Sequence, residues 1–154
     1  MAYLLNHLYK FEIDMGTEEA PKWVSIAKGI KSVDPDNNEE SEENYYYDGG
    51  GSAERDVTGF MMSYGFEGHR DYEDEAQNFI MSKVNKTGEA RKVPFRVTEP
   101  DGGMFEGRST LSDIKSPGGG ANAKGDIEFT LAFDGVPKYT PPNKAAAAAP
   151  SLSK

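Results

Sequence analysis

Large apolar side chains alternate with polar ones in several short segments, a pattern typical of half-buried β-strands. In the clearest segment, 126–134, the apolar positions are Ile127, Phe129, Leu131 and Phe133. Shorter alternations predict further strands within residues 11–15, 23–30, 58–66, 93–97 and 104–114. Pro94 predicts that its strand lies at a sheet edge, because proline cannot donate a ladder hydrogen bond. The glycine-rich stretch 117–120 predicts a hairpin with a long connection between the last two strands.

One segment follows a helical period instead. Tyr72, Ala76, Phe79 and Ile80 have the spacing of one apolar stripe on an α-helix. Asp71 can cap the start of that helix, and the acidic residues that follow suit its first turn. The sequence therefore predicts one amphipathic helix over about residues 71–83, lying on a sheet.

Two segments lack either period. Residues 32–53 carry seven acidic side chains and no lysine or arginine, followed by three tyrosines and three glycines. Their pattern predicts an irregular loop, and loops of this length are usually functional or disordered. Residues 136–154 are rich in proline and alanine and predict a flexible extension. The expected organisation is one β domain over residues 1–135 and an extension over 136–154.

Composition narrows the function classes. The chain has 154 residues, a net charge of −9 and no cysteine. This charge argues against a protein that grips nucleic acid through a basic face. The lack of cysteine excludes a disulfide scaffold, a thiolate zinc site and a cysteine nucleophile. We find neither a bilayer-spanning apolar stretch nor a signal peptide, and expect a soluble protein made in the cytoplasm.

Motifs for catalysis or metal binding are weak. The two histidines, His7 and His69, have no nucleophile-elbow serine pattern with them. The run Asp34-x-Asp36-x-Asn38 imitates the opening of a calcium loop, but glycine is missing at its sixth position and glutamate at its twelfth. We therefore predict no enzyme activity, no cofactor and no metal site. Exposed strand edges and long loops suit instead a unit of an assembly, in which copies of the chain cover them.

The order of features resembles the major tail (tail tube) proteins of long, flexible-tailed bacteriophages, the siphophages. The resemblance covers about residues 8–133. It is carried by five successive segments, which are Tyr9-Lys10-Phe11-Glu12-Ile13, the Trp23 strand running into Gly29-Ile30-Lys31-Ser32-Val33-Asp34-Pro35, the acidic Tyr- and Gly-rich loop, Asp56-Val57-Thr58-Gly59-Phe60, and Asp71-Tyr72-Glu73-Asp74-Glu75-Ala76-Gln77-Asn78-Phe79-Ile80.

This resemblance implies a β-sandwich or barrel-like fold with one flanking helix and a long inter-strand loop. It implies hexameric rings stacked into a hollow tube, through which viral DNA passes without specific binding. The implied partners are further copies of the chain, a tape measure protein, a tail terminator and a distal tail protein. The implied location is the virion tail, with no membrane, after synthesis in the host cytoplasm.

The long loop, matched here by residues 34–57, would reach a neighbouring subunit or ring. Its candidate contact residues are Asp34, Asp36, Glu39, Glu40, Glu42, Glu43, Tyr45, Tyr46 and Tyr47. A neutral or acidic wall would let DNA pass without holding its phosphates. The candidate residues for that wall are Glu106, Asp126 and Glu128.

Three alternatives stay open. A carbohydrate-binding β-sandwich could use Tyr45, Tyr46 and Tyr47 with Trp23 as a stacking platform. A tail terminator or head–tail connector would form one ring and not polymerise. A hydrolase that uses two carboxylates comes last.

Overall fold

The computed structural model describes residues 3–142, which form ten β-strands and one α-helix. The strands are β1 (Lys10–Asp14), β2 (Trp23–Ser25), β3 (Ile30–Asp36), β4 (Glu40–Tyr45), β5 (Ala53–Gly59), β6 (Ser63–His69), β7 (Lys92–Thr98), β8 (Met104–Lys115), β9 (Asp126–Phe133) and β10 (Lys138–Thr140). The helix is α1 (Glu75–Met81). No helix within the described residues is long and apolar enough to cross a membrane.

Eight strands form one antiparallel sheet in the order β2-β1-β7-β8-β9-β6-β3, and β10 pairs with β8. This sheet curls over on itself. Three strands separate β1 from β6, which would place them about 19 Å apart in a flat sheet. The ring of Phe11 on β1 nevertheless lies 5.2 Å from that of Phe66 on β6. The mainly-β prediction with one helix is therefore confirmed.

The core lies inside this curl. Side chains from β1, β6, β7, β8 and β9 fill it, and α1 covers it with Ala76 and Ile80. Ile127, Phe129 and Leu131 are buried, as their alternation predicts. The predicted hairpin of β8 and β9 with a long connection is also confirmed.

Pro94 does not mark an edge strand, and that prediction is wrong. Its strand, β7, lies between β1 and β8. The paired register with β1 ends at Phe95, one residue after Pro94 along the chain. Proline is therefore tolerated in a central strand because the pairing on one side stops beside it.

The helix is shorter than predicted and begins later. Asp74, rather than Asp71, is its N-cap, and its carboxylate accepts a hydrogen bond of 3.1 Å from the Gln77 amide. Asp71 instead caps a turn by accepting from the Glu73 amide. Tyr72 lies outside the helix with its ring against Arg70, so it is not part of the buried stripe.

Gln77 fixes the helix to the sheet. This fully buried side chain donates to the carbonyl oxygens of Lys28 (3.0 Å) and His69 (3.1 Å). Its own carbonyl oxygen accepts from the Asp71 amide at 2.7 Å. These bonds join the start of α1 to the end of β6 and to the chain entering β3.

The prediction of irregular structure over residues 32–53 is wrong. Strand β3 continues to Asp36, and β4 and β5 then form a separate two-stranded hairpin. Residues 60–62 likewise connect β5 to β6 and are not part of the strand predicted there. The long insertion between β3 and β6 is thus present, but most of it is β-structure.

The predicted extension begins with a short strand. Residues Lys138–Thr140 form β10, and Tyr139 packs its ring 4.7 Å from that of Phe105 on β8. The division of the chain at residue 135 stays a prediction, and residues 143–154 lie outside the described residues.

Candidate interaction surfaces

The first candidate surface is the hairpin of residues 40–59, here called the arm. Its strands β4 and β5 are exposed along nearly their whole length, and neither pairs with the main sheet. The arm carries six acidic residues and one basic residue. Asn38 holds its base, since the side-chain amide donates to the Met61 carbonyl at 2.8 Å and to the Ser63 hydroxyl at 2.9 Å.

The two faces of the arm differ in chemistry. Glu42 lies opposite Asp56, and Asn44 lies opposite Glu54, so one face is acidic. The other face carries the pair Glu43–Arg55 between Tyr45 and Val57, whose side chains are 70% and 58% exposed. Like charges directly opposite one another destabilise a strand pair. The acidic face therefore does not stabilise the isolated arm.

The end of the arm is aromatic. Tyr46 and Tyr47 follow β4, and Tyr47 is fully exposed. Gly50 and Gly51 then turn the chain with φ angles of 62° and 92°, which favour glycine. Three consecutive exposed tyrosines form an apolar patch at the end of an otherwise acidic hairpin.

The other predicted contact residues lie near the base of the arm. Asp34 and Asp36 are on the edge strand β3, and Glu39 is in the connection to β4. Asp36 accepts a hydrogen bond from the Asn38 amide at 2.9 Å, and Glu39 accepts one from the Asn37 side chain at 3.0 Å. Both carboxylates thus order the turn that leads into the arm.

The second candidate surface is the face of the main sheet opposite the core, here called the polar face. The strand registers place all three predicted wall residues on it, since they alternate with core residues. Each has a basic group near it. A carboxylate oxygen of Asp126 lies 3.7 Å from Nδ1 of His69, and one of Glu128 lies 3.9 Å from Nζ of Lys115. Glu106 lies opposite Arg96 and Lys138 in the strand registers, and Arg96 forms its ion pair with Glu12.

The third surface is a cleft of about 680 Å³ between β1 and β3. Its larger apolar lining side chains include Tyr9, Phe11, Ile26, Ile30, Val33 and Tyr64. Burial raises the pKa of Tyr64, and the nearby Glu99 and Tyr9 raise it further, so its hydroxyl stays protonated. The sequence pattern did not reveal this cleft, because its walls come from strands far apart in the chain.

Two aspartates have lowered pKa values. The backbone amide of Glu73 and the charge of Lys28 lower the pKa of Asp71. Partial burial alone would raise the pKa of Asp134, but hydrogen bonds from Thr110 and Lys92 and the charge of Arg108 outweigh burial and lower it. Asp134 thereby ties the end of β9 to β7 and β8.

Asp134→Asn is expected to reduce the free energy of unfolding at neutral pH by about 0.5–1 kcal/mol, because it removes a partly screened ion pair with Lys92. A carboxylate with a lowered native pKa stabilises above its unfolded pKa and loses that contribution as pH falls through the native value. The difference between the two proteins should therefore begin to shrink at about pH 4, the ordinary pKa of an aspartate, and vanish only below the lower native pKa. Urea unfolding at several pH values measures it, and a constant difference would contradict the assignment.

The geometry of the described residues favours neither a metal site nor a sugar-binding platform. Within residues 3–142, no group of three His, Cys, Asp or Glu side chains is placed to hold a metal ion. The Arg96 guanidinium lies 4.1 Å from the centre of the Trp23 ring and covers one of its faces. Trp23 lies on β2 in the main sheet, whereas the three tyrosines lie on the arm, so the sheet topology does not join them into one platform.

Comparison with solved structures identifies the fold. The chain is similar to a subunit in the tail of an empty gene transfer agent particle with C6 symmetry (18% identity, TM-score 0.68) and to one in the native virion of such a particle (18%, 0.69). Each match covers 90% of this chain and 100% of the other. A subunit of the tube-terminating cap of the anti-feeding prophage is also similar (13%, 0.59; 91% and 92% covered).

No protein family and no curated protein matches the chain by sequence. At these identities the structural matches show the fold alone. The chain has the fold of subunits from phage-like tails and tubes.

Proposed function

We propose that this protein is a structural, non-enzymatic subunit of a virion tail that self-associates into a hollow tube. The arm is the observation that carries the proposal. Within the described chain its two exposed strands pair only with each other, and such edges are usually covered in a native assembly. Among residues 3–142, the strands β2 and β3 at the two ends of the main sheet each have only one partner strand, which leaves both of these edges open.

The proposed tube consists of stacked rings, six subunits to a ring, in a long flexible tail. The C6 symmetry of the gene transfer agent tail, whose subunit has the same fold, supports this number. In a ring each subunit presents different surfaces to its two neighbours, so the open edges and the arm find partners. The arm, with Asp34, Asp36 and Glu39 at its base, would then contact a neighbouring subunit or ring.

The tube would conduct DNA during ejection, and the polar face would line it. Duplex DNA carries one negative charge per ~1.7 Å of axis, so a basic lining would bind it along the whole length of the tube. Glu106, Asp126 and Glu128 provide carboxylates on the polar face, each with a basic group near it. Such a wall has little net attraction for phosphate. The tape measure, tail terminator and distal tail proteins remain proposed partners.

Negative-stain electron microscopy of the purified chain over a range of concentrations tests the proposal. We expect hollow filaments of uniform diameter above a threshold concentration. Sedimentation velocity on the same samples should show monomers giving way to very large species. A chain that stays monomeric at every concentration would contradict the proposal.

A ring that caps a tube is the second candidate, and the likeness to the tube-terminating cap favours it. The same microscopy separates the two functions. A cap forms single rings that do not stack, whereas a tube subunit forms filaments whose length increases with concentration.

Glu128→Cys tests the proposed wall, and the cysteine-free sequence makes the label specific. In assembled tubes we expect this thiol to react with a small maleimide but to be protected from one attached to a large polymer, because only the small reagent enters the bore. The dissociated variant, which should react with both, is the control. Equal labelling of tubes by the two reagents would place residue 128 outside the bore.

A further inference from the structure

The cleft between β1 and β3 leaves part of the core open. Tyr9, Phe11, Ile30, Val33 and Tyr64 pack against the core but are only half-buried, and all five line the cleft. Its volume of about 680 Å³ is in the range of pockets that enclose a ligand. A partner with several apolar side chains would complete this part of the core.

The chain has an apolar segment beside the cleft. Tyr3, Leu4 and Leu5 are 85%, 53% and 66% exposed, and Leu8 is 46% exposed. A short turn, in which the Leu8 amide donates to the Leu5 carbonyl at 3.1 Å, places Asn6 and His7 in the lining of the cleft. The segment therefore starts at the cleft of its own chain but leaves its large side chains in solvent.

Charge favours this segment over the arm as the group that fills the cleft. The charged residues that line the cleft are Lys31 and Glu99, which balance each other. Residues 3–8 carry no lysine, arginine or acidic side chain, so they bring no charge into an apolar site. The tyrosines of the arm would bring Asp48 and the other carboxylates of the arm towards Glu99.

We propose that residues 3–5 of one copy of this chain bind in the β1–β3 cleft of a second copy. Asn6 and His7 stay in the lining of their own cleft. The inference rests on the proposed function and names one contact that joins neighbouring subunits. Each copy has one segment and one cleft, and uses them with different neighbours. A contact of this head-to-tail kind continues from copy to copy and generates a ring or a filament, as a tube requires.

Disulfide cross-linking tests the contact. Leu4→Cys places a thiol on the segment, and Ser32→Cys places one in the lining of the cleft. The two variants are purified separately, one with a mass tag, then mixed, assembled and oxidised. We expect a covalent dimer with one copy of each variant. Ser116→Cys, an exposed serine in the connection between β8 and β9, replaces Ser32→Cys in the control and should give little mixed dimer.

The double variant Leu4→Cys/Ser32→Cys separates exchange between copies from binding within one chain. Exchange gives a ladder of covalent oligomers, whereas an internal disulfide would overturn the inference. Assembled tubes that show no mixed cross-link would also overturn it while leaving the proposed function intact. A wild-type chain that never assembles would overturn both.

Leu4→Asp/Leu5→Asp provides an independent measurement. It should raise the threshold concentration for assembly by about tenfold or more, the effect of losing the burial of one leucine. The melting temperature of the monomer should stay the same, because both side chains are exposed. An unchanged threshold would overturn the inference.

Discussion

Deletion of residues 40–59 is expected to give a folded monomer that forms no tubes at any concentration at which the wild type assembles. The arm contributes no residue to the core, so its loss leaves the packing of the main sheet intact. The chain can close across the gap because Glu40 and Gly59 are paired at the base of the arm. The Met61 amide also donates to the Asn37 carbonyl at 2.9 Å, which leaves a tight turn between β3 and β6.

Circular dichroism and thermal unfolding check that the shortened chain folds, and electron microscopy checks assembly. As a matched control, Thr58→Ala removes one hydroxyl and one methyl group from the same hairpin, with a weak hydrogen bond of 3.3 Å to the Glu40 carbonyl, and should assemble normally. Tubes formed by the deletion variant at the wild-type threshold would show that the arm is not an assembly contact.

Phe66→Ala is expected to reduce the free energy of unfolding by about 3–5 kcal/mol. Phe66 is 1% exposed and stacks on Phe129 with ring centres 4.9 Å apart. It also meets Phe11 edge-on from the opposite side of the curled sheet. Alanine would therefore leave a cavity between β1 and β6, where the curled sheet packs on itself. The free energy of unfolding of a domain of this size is small, so this loss is a large part of it.

Denaturant unfolding measures this loss. Phe60→Ala is the matched control, because Phe60 is 44% exposed in the connection between β5 and β6 and should change stability by less than about 1 kcal/mol. A similar loss for both variants would mean that the aromatic cluster around Phe66 does not hold β1 and β6 together.

The strands of the main sheet were predictable where one face is buried. Ile127, Phe129 and Leu131 alternate with polar residues because the core lies on one side of β9 and solvent on the other. The arm lacks this signal, since neither of its faces is buried in the chain. Its strands therefore have the composition of a loop, and only the pairing in the structure identifies them.

Other features depend on contacts that a local pattern does not contain. Asp71 and Asp74 are equally suitable N-caps by residue type. The helix begins after the later one, and Gln77 is hydrogen-bonded to both of them. The cleft forms because the curl of the sheet brings β1 near β3, although the two strands lie towards opposite ends of the strand order. The leucines near the N-terminus, which are exposed in the structure, could have indicated a contact site from the sequence alone. An uncharged apolar segment in a chain with a net charge of −9 is expected to bind a partner.

For the proposed tube, the acidic face of the arm has a consequence for the timing of assembly. Carboxylates on two arms repel each other over ~10 Å at 0.1 M salt, so free subunits that meet arm to arm in solution separate again. A growing end that offers a less acidic surface imposes no such barrier. Elongation of an existing seed should then outpace spontaneous nucleation, and the lag before nucleation should shorten as ionic strength rises.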